Sequence, residues 1–349
     1  MNRLSFVLSV AFVCFSTTLL AQSEKLTAEQ YYEEAESFFD NEDYEKAIEL
    51  AKKAVLQQPK NMEAHLLLAK SYHKKGSNTQ AEISCNKSIG LKKENPDAYY
   101  ILGDIFAQRS RFDKAMDEYK KAIRYNPNHA MAHYGLAKIH HSKNDKFSED
   151  QALDAYRKAL EFDPSIWEAA LALGDIYKQR RNFERAIYYY ESLIEVKPDC
   201  IEGYIQLGDC YRRQQEYSRA VTTFNKVFDY SEENAEAYLN IGLCYKDENK
   251  LDLAMEYYEN ALKQKPDYAE AYFNIGYIYN RQSDYDKAIE YYEQATSFKK
   301  NYADAYYNIG NVYNMRGQNQ KKISAYKRAA RHGSFLAQQW LKKNGMTWN

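Results

Sequence analysis

Four histidines form the densest group of metal-ligating side chains in the sequence: His129, His133, His140 and His141. His129 and His133 are four residues apart, a spacing that places two imidazoles on one face of a helix, where they could share a Zn²⁺ ion. Similar stretches of the chain, however, carry packed aromatic residues at the places of His133 and His140, and His141 falls on another face. We therefore expect these histidines to pack or to lie at the surface, and we predict no metal site.

Cysteine chemistry is the next possibility, because Cys85, Cys200, Cys210 and Cys244 all follow the first 21 residues. Cys210 and Cys244 occupy equivalent places 34 residues apart. Stacked helical repeats hold such places about 10 Å apart, which is too far for a disulfide bond. We expect four small packed residues rather than a disulfide framework.

The sequence contains no recognisable catalytic or nucleotide-binding motif. It has no phosphate-binding loop, no glycine-rich dinucleotide fingerprint and no zinc-protease helix motif. Its 48 Lys and Arg residues are balanced by 49 Asp and Glu residues, and a nucleic-acid-binding protein needs a basic surface. We predict that the protein is not an enzyme, uses no cofactor and does not bind nucleic acid.

The first 21 residues have the pattern of a secretory signal peptide. Arg3 precedes a mostly apolar run from Leu4 to Leu20, and cleavage is expected after the small residue Ala21. An uncleaved membrane anchor is the alternative, although the run contains several Ser and Thr residues and is short for a span. Cleavage leaves a nearly neutral chain with 47 positive and 49 negative side chains, a short segment at residues 22–27, and no expected membrane span.

A pattern with a period of 34 residues runs through the rest of the chain. Five prolines are separated by 68, 37, 34 and 68 residues, which is one period with a single insertion of three residues: Pro59, Pro127, Pro164, Pro198 and Pro266. Six glycines keep the same period: Gly103, Gly174, Gly208, Gly242, Gly276 and Gly310. Because prolines and glycines show the same period, we conclude that the chain is built from internal sequence repeats.

Each copy of the pattern predicts two amphipathic helices. Apolar residues recur three and four apart on both sides of a polar turn, for example at 282–284. A helix pair of about 13 residues each is too small to form a core alone, so the copies must stack. Gly276 is expected where the two helices approach closely, with Ala288 opposite, and with Tyr279 and Tyr292 filling the space on either side.

This pattern resembles the tetratricopeptide repeat family, which carries a small residue at repeat position 8, aromatic residues at 11 and 24, Ala at 20 and 27, and Pro at 32. The resemblance implies an all-α fold, a right-handed superhelical α-solenoid of about nine helix-turn-helix repeats at residues 28–332, with a C-terminal capping helix and tail at 333–349. The repeats are expected to start at Ala28, Met62, Pro96, Ala130, Trp167, Ile201, Ala235, Ala269 and Ala303. Repeat four contains the insertion, near residues 144–149.

The resemblance also implies a concave groove lined by positions 2, 5, 9, 12 and 13 of the first helices. Position 2 is acidic in eight of the nine repeats and position 5 is apolar or aromatic in all of them. An acid near a helix start needs no ligand, because it stabilises the helix dipole. Asp209 and Arg212 likewise have the spacing of an ordinary ion pair within a helix.

Lys246 and Arg281 lack such a partner, because position 9 of their helices is Leu243 and Tyr277. We therefore expect the contact zone in repeats seven to nine, where aromatic and cationic side chains combine as they do in binding hot spots. The predicted groove residues are Arg212, Leu239, Asn240, Leu243, Lys246, Phe273, Asn274, Tyr277, Arg281, Tyr307 and Asn308. Relatives that clamp a peptide's C-terminal carboxylate use cations at positions 2 and 5, and these are acidic and apolar here, so we do not expect that clamp.

The sequence thus favours an exported scaffold whose groove binds a protein or extended peptide. The expected location is the periplasm of a bacterial cell envelope, and association with the outer membrane or secretion are the alternatives. A glycan-binding or polysaccharide-processing accessory that uses groove tyrosines is a second hypothesis, and a purely structural spacer is a third. The identity of the partner and the oligomeric state are left open.

Overall fold

The computed structural model describes residues 26–143 and 145–348, and within these residues all regular structure is helical. The first helices of the nine repeats are α1 (Ala28–Asp40), α3 (Met62–Lys74), α5 (Pro96–Gln108), α7 (Ala130–Ser142), α9 (Trp167–Gln179), α11 (Ile201–Arg213), α13 (Ala235–Asp247), α15 (Ala269–Arg281) and α17 (Ala303–Met315). The second helices are α2 (Tyr44–Gln57), α4 (Asn78–Leu91), α6 (Phe112–Tyr125), α8 (Lys146–Phe162), α10 (Phe183–Val196), α12 (Tyr217–Asn225), α14 (Leu251–Gln264), α16 (Tyr285–Phe298) and α18 (Asn319–Arg331). A 3₁₀ turn (Lys226–Asp229) continues α12, and α19 (Phe335–Lys343) follows the last repeat.

Capping and turn residues explain where these helices begin and end. Side chains such as Asn61, Asn95 and Asn234 accept a hydrogen bond from the backbone N–H three residues later, which satisfies a free donor at the helix start. The turn inside a repeat places position 15 in the left-handed conformation. Two repeats use glycine there, Gly76 and Gly317, and six use another residue: Glu42, Ser110, Arg181, Gln215, Asn249 and Ser283.

The chain divides after Ile166 into two compact blocks. The N-terminal block holds repeats one to four, and the C-terminal block, from Trp167 onward, holds repeats five to nine with α19. Within each block a helix packs mainly against its sequence neighbours, and a first helix also contacts the next first helix. Each block is therefore an α-solenoid of helix-turn-helix repeats, as the periodic pattern predicts.

Glycine at position 8 lets the two helices of a repeat close around an aromatic ring. A Cβ atom on Gly276 would lie 2.9 Å from Tyr292 Cδ1 and 3.2 Å from the carbonyl oxygen of Ala288. The close approach of Gly276 and Ala288 is thus present as expected. The Tyr292 ring, however, lies directly over Gly276 and is fully buried. The position-24 ring is therefore the spacer between the helices, and glycine is needed because of that ring.

The four cysteines are buried and unpaired. Burial raises the pKa of Cys85, Cys210 and Cys244 to about 12, so these thiols stay protonated at neutral pH. A protonated, buried thiol is a poor nucleophile and a poor metal ligand. These residues act as small core side chains.

The histidines of repeat four face different partners. The Nε2 atom of His133 lies 2.9 Å from the carbonyl oxygen of Pro127, and that of His129 lies 3.2 Å from the carboxylate of Asp97. His141 packs edge-on against Tyr156. Among the described residues, no group of three or more His, Cys, Asp and Glu side chains is arranged to hold a metal ion.

The predicted signal peptide, residues 1–21, lies outside the described residues, as does most of the segment 22–27. In the part of the chain that the structure describes, no helix is both long and apolar enough for a membrane span. At the other end, Ala337 and Leu341 of α19 pack on Ala329 and Ala330 of α18. Helix α19 thus covers the apolar side of the last repeat.

Candidate functional site

We call the side of the first helices that carries positions 2, 5, 9, 12 and 13 the first-helix face of each block. In the N-terminal block this face contains an open pocket of about 440 Å³ between α5 and α7. Its lining combines rings and aliphatic groups with one acid and one cation, and includes Tyr100, Asp104, Met131, Tyr134 and Lys138. A pocket of this size lies in the range typical of ligand sites.

A contact between repeats two and three holds the acid of this pocket. His73 Nε2 lies 2.8 Å from the carboxylate of Asp104, and Tyr119 donates its hydroxyl to the same side chain at 3.3 Å. Burial alone would raise the pKa of Asp104, but the hydrogen bond and charge of His73 outweigh it and the pKa is lowered. Lys138 lies 5.4 Å over the ring of Tyr134, a cation–π contact. The pocket therefore holds an ionised acid and a cation on aromatic walls.

A ladder of ion pairs links the first helices of repeats five to seven in the C-terminal block. Lys178 lies 2.8 Å from Asp209, and Arg212 lies 2.8 Å from Asp209 and 2.7 Å from Asp247. Arg213 adds a contact of 2.9 Å to Asp209. Because a cation at position 12 reaches an acid at position 9 or 13 of the next repeat, the ladder cross-links neighbouring repeats.

Asp209 is the centre of this ladder. Burial by itself raises the pKa of its carboxyl group, but hydrogen bonds and charge from Lys178, Arg213 and Arg212 outweigh burial and hold the pKa at about 2. The side chain of Asp209 is 14% exposed and that of Arg212 is 18% exposed. Arg212, which we predicted in the groove, is thus committed to pairing between repeats.

Lys246 is the position-12 cation of repeat seven, the last repeat that the ladder reaches. Its Nζ donates to the Oδ1 of Asn274 at 3.0 Å and lies 5.6 Å over the ring of Tyr277. Among the described residues no acidic oxygen lies within 4.0 Å of this ammonium, in contrast to Lys178 and Arg212. Burial lowers the pKa of Lys246. The structure therefore brings Lys246, Asn274 and Tyr277 together, as a half-buried cation among neutral partners.

Arg281 lies beside this group and is exposed. It donates to the hydroxyl of Tyr277 at 3.2 Å and to Asn249 Oδ1 at 3.3 Å. Asn274, predicted as a groove residue, is only 6% exposed and also donates to the carbonyl oxygen of Glu270. Its amide acts mainly to hold Lys246 and the helix backbone.

The other predicted groove residues are divided between the face and the core. Leu239 is only 7% exposed and belongs to the core of repeats seven and eight, with Leu243 packed against that core. The expectation that Leu239 is exposed is therefore wrong, because its side chain packs in one buried cluster with Ala254 and Tyr258 of helix α14. Phe273 packs 5.1 Å from Tyr302, and Tyr307 stacks 5.4 Å from Tyr326.

Asn240 and Asn308 are half-buried on their helices. Asn308 donates to the carbonyl oxygen of Asp304 one turn earlier at 2.9 Å, which repeats the contact of Asn274. The recurring position-6 asparagine thus has a local hydrogen-bonding role in α15 and α17.

Sequence reasoning did not single out the pocket between α5 and α7. Tyr100, Met131 and Tyr134 were visible in the position-2 and position-5 rows, but the ranking relied on unpaired cations and therefore favoured later repeats. The signal that could have found the pocket is Lys138, which stands at position 9, where repeats three, five and six carry Asp.

Comparison with known proteins agrees with this architecture. Models described as tetratricopeptide repeat or TPR repeat match residues 32–96, 103–144, 150–199, 201–234 and 233–301. These matches run through both blocks with short gaps.

Among curated proteins, the chain is similar to a tetratricopeptide repeat protein 21 homolog of Caenorhabditis briggsae, with 26% identity over 33% of this chain and 9% of that protein. It is also similar to the Hsp70-Hsp90 organising protein of Plasmodium falciparum, with 37% identity over 14% of this chain and 10% of that protein. The chain thus spans about a tenth of the length of these relatives.

Among solved structures, one described as YrrB, a TPR protein with an unusual peptide-binding site, is 22% identical, covers 54% of this chain and 95% of its own, and superposes with a TM-score of 0.49. The family assignment itself rests on the repeat models, whose matched residues coincide with the helix pairs described above. The chain is therefore a tetratricopeptide repeat protein.

Proposed function

We propose that this protein is a non-enzymatic scaffold that binds a protein or an extended peptide along the first-helix face. Tetratricopeptide repeat proteins generally mediate protein–protein interactions. The observation that carries the proposal for this chain is the pocket of about 440 Å³ between α5 and α7, which is formed by consecutive first helices. Position 5 supplies two of its walls, Tyr100 and Tyr134.

The lining of this pocket indicates what it would accept. The tyrosine rings and Met131 offer apolar walls to a side chain of the partner, while Asp104 and Lys138 can orient polar groups beside it. Burial of an aromatic or aliphatic anchor in a pocket rimmed by polar groups is the usual source of affinity in protein interfaces. An extended segment that crosses α5 and α7 therefore fits this surface.

Crosslinking in the native envelope, followed by mass spectrometry of captured proteins, tests the proposal. The double variant Tyr100→Ala with Tyr134→Ala is expected to lose captured partners, because it removes both aromatic walls. Phe147→Ala is the matched control, since Phe147 is an aromatic residue that is 72% exposed on the second helix α8. In the C-terminal block, Tyr277→Glu with Phe273→Ala tests the predicted groove in the same way, with Tyr188→Ala, 65% exposed on α10, as its control.

Unchanged capture by both double variants would contradict binding on the first-helix face. Circular dichroism of each variant establishes that the helical fold is kept, so that a loss of partners can be attributed to the surface. Loss of capture by a control variant alone would instead move the binding site to the second helices.

We also propose that the protein is exported to the cell envelope, with the periplasm as its main location. The support is the sequence of residues 1–21, in which Arg3 precedes an apolar run that ends at Ala21. Mass spectrometry of the N-terminal peptide from envelope and cytosolic fractions is the test. A mature chain that begins at Gln22 in the periplasmic fraction is expected, and an intact Met1 in the cytosol would contradict export.

A further inference from the structure

Six repeats carry tyrosine at position 24, and in four of them its hydroxyl has a partner on the first helix of the same repeat. In repeat four this partner is His141 at position 12, 3.4 Å from Tyr156, and in the other three it is the side chain at position 9. The ring passes over the glycine at position 8, and the hydroxyl reaches the side chain at position 9. Three repeats show this contact, at 3.3, 2.6 and 2.7 Å: Tyr119 to Asp104, Tyr190 to Asp175, and Tyr326 to Asn311. In repeat six position 24 is Phe224, which has no hydroxyl, and Asp209 accepts from cations instead.

Repeats seven and eight keep the tyrosine but lack the acceptor. Position 9 is Leu243 in repeat seven and Tyr277 in repeat eight. Tyr258 and Tyr292 are both 0% exposed, and neither hydroxyl has a hydrogen-bond partner among the described residues. A buried hydroxyl left without a partner typically costs about 1–3 kcal/mol. These two repeats therefore hold donors that the chain itself does not satisfy.

The position-12 cations of the preceding repeats, Arg212 and Lys246, also have no position-9 acid in the repeat that follows them. Lys178 reaches forward to Asp209, the position-9 acid of the next repeat. The corresponding acid for Lys246 would stand at Tyr277, and Lys246 is left with the neutral amide of Asn274. One repeat earlier, the buried Nε of Arg212 has no partner in the described part of the chain. The two missing acids thus leave the hydroxyls of Tyr258 and Tyr292 without partners in the described residues, together with the Nε atom of Arg212. Among the same residues Lys246 has a neutral acceptor but no carboxylate.

We propose that repeats seven and eight bind carboxylate groups of the partner, which take the place of the missing position-9 acids. In repeat eight, Lys246 and the hydroxyl of Tyr292 donate to one carboxylate. In repeat seven, Arg212 and the hydroxyl of Tyr258 form the equivalent pair for a second. A carboxylate suits both sites because it accepts several hydrogen bonds, and in repeat eight it also supplies the negative charge that Lys246 lacks.

The approach to these donors runs through side chains that can move. Tyr277 and Lys246 are only half-buried, and the Lys246 ammonium lies 5.6 Å over the Tyr277 ring. Lys246 is held by one neutral hydrogen bond and has a long flexible stem. Because both hydroxyls are buried, binding of a carboxylate requires neighbouring side chains such as these two to rotate.

Two acids on the same surface, Glu270 and Asp247, are already paired with cations. Glu270, at position 2 of repeat eight, lies seven residues from Tyr277, which is about 10 Å along a helix. Its carboxylate is already paired with Lys299 at 2.7 Å. Asp247 is paired with Arg212 at 2.7 Å and therefore competes for that guanidinium in repeat seven. Repeat eight is the stronger of the two sites for this reason.

This inference rests on the proposed function and specifies the chemistry of the bound segment. The test uses an array of peptides of about nine residues, N-acetylated and C-amidated, with randomised flanks and a central Glu or Gln. A third set carries the central Gln and a free C-terminal carboxylate, which distinguishes a chain end from a side chain. The dissociation constants of the Glu and Gln peptides that share the tightest-binding flanks are then measured by fluorescence polarisation. The Glu peptide is expected to bind about tenfold more tightly than the Gln peptide, because of one charged hydrogen-bonded contact.

Restoring the acid within the chain is the decisive variant. Tyr277→Asp is expected to abolish the Glu preference, because the new carboxylate takes Lys246 and Tyr292 for itself, and to raise the melting temperature for the same reason. Asn311→Asp is the matched control, since position 9 of repeat nine already accepts from Tyr326, and it is expected to keep the preference. Lys246→Met is expected to lose the Glu preference, because it removes the ammonium group while keeping an unbranched apolar side chain.

The outcomes separate the inference from the proposed function. If Glu and Gln peptides bind equally to the natural protein, or if Tyr277→Asp keeps the full Glu preference, the carboxylate site is wrong and peptide binding stands. If only the free C-terminus gives the gain, the carboxylate comes from a chain end. If no peptide of any set binds and envelope crosslinking captures nothing, both proposals fail.

Discussion

At the scale of single residues, the packing of position 8 against position 24 leaves no room for a side chain. We predict that Gly276→Leu lowers the free energy of unfolding by about 3 kcal/mol, because even its Cβ would lie 2.9 Å from the buried Tyr292 ring. Thermal and urea denaturation followed by circular dichroism will measure the loss.

The matched control for this variant is Gly90→Ala in helix α4. Nothing lies within 4 Å of a Cβ at Gly90, so the substitution is expected to stabilise the helix by roughly 0.5–1 kcal/mol. A Gly276→Leu protein that melts like the natural one would contradict the assignment of the position-8 contact.

At the scale of the helical element, the turn within each repeat is strained wherever position 15 is not glycine. Gln215 has a φ of 65°, a conformation that is unfavourable for residues with a Cβ. We predict that Gln215→Gly raises the free energy of unfolding by roughly 0.5–1 kcal/mol. Gly317→Ala is the reverse control, because Gly317 has a φ of 69° and open space around it. This variant is expected to lower the free energy of unfolding by about the same amount. Equal stability of all three proteins would show that the turn is not strained.

The ion-pair ladder predicts a pH dependence that belongs to helices α9, α11 and α13 together. The pKa of Asp209 is held at about 2, below its ordinary value of 3.8, so its contribution is present above the ordinary value and is lost as the pH falls toward 2. We expect about 2 kcal/mol of stability to disappear over this range.

Urea denaturation between pH 6 and pH 2 measures this loss. Asp209→Asn is expected to be less stable at pH 6 and to show a flatter pH profile than the natural protein. Asp252→Asn, at an exposed site in the first turn of α14, is the control and should follow the natural profile. Parallel profiles for the Asp209→Asn and natural proteins would remove Asp209 as the source of the pH dependence.

At the scale of the whole molecule, stability is expected to depend on neighbours along the chain. Helices pack mainly against their sequence neighbours, and in such arrays a local change propagates by one repeat at a time. We predict that Gly276→Leu accelerates amide hydrogen exchange in helices α13 to α18 and leaves α1 to α6 unchanged. Hydrogen exchange with mass spectrometry will show this, and uniform acceleration over the chain would indicate one cooperative unit instead.

The fold was largely predictable because one short pattern carries the information nine times. Gly276, Ala288 and Tyr292 specify the contact between paired helices, and their equivalents recur at a fixed spacing. The direct stacking of Tyr292 on Gly276 was not predicted, because periodicity gives the face on which a residue lies but not its distance from the opposite backbone.

The candidate site was predicted less completely, because its properties depend on contacts between repeats. The sequence shows that Lys246 lacks an acid at position 9 of its own helix, but not that it reaches Asn274 on the next one. Likewise Leu239 reads as part of an exposed row, although its side chain turns into the core. The missing acceptors of Tyr258 and Tyr292 depend on where each hydroxyl ends in the packed repeat, which the spacing of residues in the sequence does not give.

The ring of Tyr292 lies against Gly276 of the first helix and is fully buried. Because this ring is packed on all sides, its hydroxyl loses little freedom when a partner binds to it. A preorganised hydroxyl of this kind is expected to discriminate among partners mainly through their dissociation rates, because the hydroxyl itself is already in position before binding. Partners that bind there are expected to differ mainly in residence time.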